Sequence, residues 1–80
     1  MDRDVARHVI RTSFQATREL ISLLTLLKEH APADEYRDYA RRIAHAIHTV
    51  NGALLDPTYA AHPGLQEEVE ASVEKYDRFL

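Results

Sequence analysis

The sequence predicts an all-α fold: a three-helix bundle made of a long antiparallel helical hairpin and a shorter C-terminal helix. Three observations predict it. Tyr36, Ala40, Ile43, Ile47, Val50 and Leu54 follow one another at steps of four, three, four, three and four. Each residue of an α-helix turns the chain by about 100°, so these six share one stripe. The stretches before and after keep the same period, and none alternates with the period of two that marks a strand. Ala44 on one flank, and Tyr39, Ala46 and Ala53 on the other, widen the stripe to about half the circumference. A helix of that kind touches neighbours on two sides, so this one is expected to form the central wall.

Taken in order, the first helix is predicted over 3–30. Val5, Val9, Ala16, Leu20, Leu23, Leu24 and Leu27 share a face, Ile10, Phe14 and Ile21 extend it to one side, and Leu26 lies well off the other. No Gly or Pro interrupts the stretch, and its Ala, Leu, Arg and Glu favour helix. At about 1.5 Å per residue it is on the order of 40 Å long, more than the other helices can cover. Pro32 turns Ala31 away from helical geometry and suits the first turn of a second helix, 32–55. Asp34 and Glu35 then sit at the positive helix end. Asn51-Gly52 has the chemistry of a helix stop, but Leu54 stays in phase with Val50, so the helix is expected to pass through.

Asp56-Pro57 is expected to end the second helix, leaving 58–62 as a connector with room for a single turn. Pro63 opens the third helix, 63–79, with Leu65, Val69, Val73, Tyr76 and Leu80 as a narrow apolar stripe. The expected core is Leu20, Leu24, Leu27, Tyr36, Ile43, Ile47, Val50, Leu54, Val69, Val73 and Tyr76. The chain reads as one domain, 1–80, without repeats or low-complexity segments.

Composition narrows the function classes. The 80 residues are 45% hydrophobic and 29% charged, ordinary for a folded soluble domain. There is no Cys, so no disulfide supports a core of marginal size. The formal charge of −3 argues against general affinity for nucleic acid or anionic membranes. The apolar run from Leu20 to Leu27 is too short to span a bilayer, and the N-terminus has no secretion signal, so cytoplasmic residence is expected.

The five histidines are the candidate ligands. His45 and His48 are three apart, but His45 projects away from the core stripe and His48 sits at its edge. Folding the hairpin at Ala31 brings His8 to the same end as Asp56, Tyr59 and His62. Those groups could hold a metal or a small anionic ligand, although none has motif spacing and Asp56 is also a natural cap for the turn at Pro57. Arg3, Arg7, Arg11 and Arg18 form a basic ridge on the first helix. From Asp56 to Leu80 there are six carboxylates against two Lys or Arg residues. Complementary ridges of this kind pair within a fold or across an oligomer. Arg41 and Arg42 precede His48 at the loose Arg-x(4–6)-His spacing of the HEPN-type ribonucleases. Those domains are larger than this chain, and no partner residue accompanies the pair.

No catalytic constellation, cofactor motif or phosphate-cradling loop is present in the sequence. The function expected is therefore a small helical protein–protein interaction module, such as an adaptor, small chaperone or regulatory subunit, that forms a homodimer. Metal or small-ligand binding through His8, Asp56 and His62 is the alternative, and a HEPN-like nuclease ranks third. Helices 1 and 2 carry wider apolar arcs than a three-helix monomer needs. The dimer is therefore expected to use helix 1, burying Ile21 and at least one of Phe14 and Leu26.

Overall fold

In the computed structural model, which describes residues 1–79, the chain runs up, down and up through three helices. Helix α1 is Arg3–His30. Helix α2 is continuous over 33–61, made of Ala33–Val50, a π-helical turn at Asn51–Leu55 and a final stretch Asp56–Ala61. Helix α3 is Gly64–Tyr76. No strand occurs among the described residues.

The ends follow from local chemistry. The Asp2 carboxylate accepts the Val5 N–H at 2.9 Å, one of the amides that the first turn of α1 leaves unpaired. Ala31 is extended, as a residue before proline must be, and its N–H closes on the Leu27 carbonyl. Pro32 and Pro63 sit one position before α2 and α3 rather than in their first turns. His62, before Pro63, turns the chain so that the Leu65 N–H donates to its carbonyl at 3.0 Å. Asp77 adopts a left-handed conformation, φ 60° and ψ 18°, and ends α3 at Tyr76 rather than at 79. Phe79 then folds back and is buried, while Leu80 lies outside the described residues.

The second helix departs most from expectation. It does not stop at Asp56-Pro57, and the predicted connector over 58–62 is mostly helix. Pro57 has no N–H for the Ala53 carbonyl four residues earlier, and its ring crowds that carbonyl. The chain relieves this with the π turn, in which the Asp56 N–H bonds back to the Asn51 carbonyl, five residues away. One extra residue in the turn rotates everything after it. Leu55 and Thr58 therefore face inward, and Leu54, expected in the core, is 43% exposed. Asn51-Gly52 is not a stop: Asn51 is fully helical.

The core lies at one end of the molecule. Ala6, Ile10, Leu55, Leu65, Val69 and Phe79 form it, with Phe14 and Tyr59 packed against it. Val73 and Tyr76, expected within it, are exposed because the upper part of α3 stands off from the hairpin. Toward the Ala31 turn, Ile43 is buried, but Leu20, Leu24, Leu27, Tyr36, Ile47 and Val50 are only half-buried. There α1 and α2 face each other with no third helix over them. The radius of gyration is 14.7 Å, against about 12 Å for a compact domain of this length, and the longest dimension is 45 Å.

Candidate functional site

Among the sequence candidates, the basic ridge has a structural role. Arg7 grips Glu68 of α3 through Nε at 2.9 Å and Nη2 at 3.2 Å, and reaches Asp4 at 2.6 Å. The hydrogen bond to Arg7 lowers the Glu68 carboxyl below its usual range, and the same bond raises the Arg7 guanidinium. Arg11 stacks over the Phe79 ring at 4.7 Å. The guanidinium of Arg3 lies over Gly64, in the space where a Cβ would stand. The ridge is thus the seam that fastens α3 to α1.

The histidines do not converge. His8, His45 and His48 are exposed, and so is Asp56. Among the described residues no three His, Cys, Asp or Glu side chains gather where a metal could be held, so His8, Asp56 and His62 do not make the expected ligand set. Arg41 and Arg42 both turn to Asp38 of their own helix, at 3.3 Å and 3.0 Å. The hydrogen bond from Arg42 holds the Asp38 carboxyl below its usual range. His48 stands exposed.

What the structure adds is a set of apolar surfaces. A groove of about 510 Å³ runs between α1 and the end of α2, with Val9, Ala53, Leu54, Pro57 and His62 in its walls. On the opposite flank, a groove of about 390 Å³ lies between Phe14, Tyr59, Val69 and Val73. Burial first, and then Glu70 and Asp56, push the Tyr59 phenol above its usual range. Neither groove was legible in the sequence, since both depend on the rotation at the π turn. Pro57 in an otherwise unbroken helical phase was the only signal.

The three interface candidates fall in different settings. Phe14 is half-buried, packed against the core of its own chain. Ile21 is 54% exposed and Leu26 is 53% exposed. They stand on opposite flanks of α1, five residues apart and about 140° around the helix. Among the described residues no helix is long and apolar enough to cross a membrane. No family model matches the chain, and no curated protein or solved structure matches it.

Proposed function

We propose that this chain is a small cytoplasmic helical interaction module, of the adaptor, small-chaperone or regulatory-subunit kind, that acts as a two-fold homodimer contacted mainly through α1. The observation that supports the reading is the uncovered half of the hairpin. From Leu20 to Ile47, the single buried apolar residue is Ile43, while Ile21, Leu23, Leu26 and Tyr39 are exposed. Two helices facing each other alone leave their outer apolar flanks in water, and a second hairpin laid against them completes a four-helix core. Sedimentation equilibrium tests the reading. The expected mass is twice the 9.2 kDa of one chain, and a single-chain mass at tens of micromolar would count against it.

A further inference from the structure

The carboxylates of α3 divide into two groups. Glu68 is matched within the fold, since Arg7 of α1 donates to both of its oxygens. Glu70 and Glu74 instead border the groove of about 390 Å³ whose floor is Phe14, Tyr59, Val69 and Val73. They stand four apart on α3 and so share one side of it. Gln66 completes the wall and donates to Glu70 at 3.4 Å. Among the described residues no Lys, Arg or His pairs with Glu70, Glu74 or Asp56. Lys75 is turned to the Tyr76 ring, 5.2 Å from its centre. Arg11, Arg18 and Arg78 line a separate cavity that shares only Phe14 with this groove. The groove therefore joins an apolar floor to carboxylates, with no cation in its lining. Tyr59 senses the same field: burial first, then Glu70 and Asp56, raise its phenol.

Resting on the interaction-module reading above but not on self-association, we infer that this groove docks a basic amphipathic helix of a partner protein. Its apolar side chains lie on Phe14 and Val73, and its Lys or Arg residues stand beside Glu70 and Glu74. Charge complementarity names the occupant. An apolar segment carrying carboxylates meets like charge here, and an uncharged one strips water from Glu70 and Glu74 without replacing it. The shape of the surface names its form. Val69, Val73 and Tyr76 advance by four and three, so the apolar line continues past the groove for about two turns of α3, on the order of 10 Å. Val73 is 40% exposed and Tyr76 is 49% exposed. A small organic cation leaves that line in water, whereas a helix laid along it covers the line with side chains at the same spacing.

The chain contains no tryptophan, so a Trp placed in a synthetic peptide reports binding by its fluorescence. Two helical peptides of about five turns share one Leu stripe with a central Trp, and carry either Lys or Glu beside it. The Lys peptide should bind with a Kd on the order of 10 μM, and the Glu peptide about tenfold more weakly or worse. Glu70→Lys with Glu74→Lys should reverse that preference. Glu19→Lys with Glu29→Lys, an equal charge change at exposed sites of α1, should shift either affinity by less than about twofold. Val73→Asn should weaken the Lys peptide about fivefold. Equal binding of the two peptides, or equal loss in the two double variants, overturns the proposal. So does a Lys-peptide affinity that falls as the chain's concentration rises, which places a second copy in the groove. Sedimentation of the same samples separates the readings. A dimer that takes neither peptide loses this groove and keeps self-association, and a single-chain mass that takes the Lys peptide loses only self-association. If Val73→Asn loses helical circular dichroism, the exposed pair Glu70 and Glu74 still decides.

Discussion

Ile10 is completely sealed from solvent and touches all three helices' shared core. Its removal therefore leaves a cavity that the surrounding side chains cannot easily close. Ile10→Ala should cost about 2–5 kcal/mol in urea unfolding, whereas Ile47→Ala, at a half-buried position, should cost clearly less. Glu68 adds a pH dependence. Its carboxyl titrates below the ordinary 4.5 in the folded chain because Arg7 donates to it. The folded state thus binds fewer protons than the unfolded state through this window, so stability rises with pH there. The contribution is complete above the unfolded value and is lost as pH falls through the lowered folded value. Between about pH 5 and pH 3 the urea midpoint of the parent should fall more than that of Glu68→Gln. Equal slopes would show that the Arg7 contact does not matter to folding. At this scale the sequence was informative about sign but not about partner: the basic and acidic ridges were visible, while the pairing of Arg7 with Glu68 depends on how α3 lies.

Among the elements, α1 and α3 were legible because their stripes keep one period from end to end. The helical state of α2 was legible too, but its phase was not. Val50 to Leu54 is a perfect α-helical step in the sequence, and the molecule uses Val50 to Leu55 instead. The cause is Pro57, whose effect falls on the turn before it and so is invisible to a periodicity count. Gly52 lies in this π turn with a negative φ and no atom within 4 Å of where a Cβ would stand. Gly52→Ala should therefore stabilise the chain by about 0.5–1 kcal/mol, read as a higher melting temperature. Deleting Gly52 gives a sharper test. It restores a four-residue step from Val50 to the leucine that faces inward, so the variant should remain helical and melt cooperatively. Deleting Ala44, in the regular part of α2, rotates all later residues by about 100° and should abolish cooperative melting. A cooperative Ala44 deletion and an unfolded Gly52 deletion would contradict the phase shift described here.

The whole molecule is a long hairpin with a core at one end. The sequence predicts α1 to outreach both other helices, but the passage of α2 through Pro57 makes it as long as α1; what stands uncovered is the half of the hairpin near Ala31, where the shorter α3 does not reach. Which flank is uncovered was not readable, because it depends on where α3 docks. That docking is set by contacts such as Arg3 against Gly64 and Arg11 over Phe79, which link distant parts of the chain. An elongated chain of 80 residues with an apolar flank in water has a core of marginal size, and the proposed pairing with a copy would cover that flank. Self-association is the central claim, and sedimentation equilibrium of the unmodified chain tests it most directly. Across a series from one to one hundred micromolar, the expected result is a mass of twice 9.2 kDa at the upper end with fitted concentrations of roughly that range. A mass that stays at 9.2 kDa throughout would contradict it.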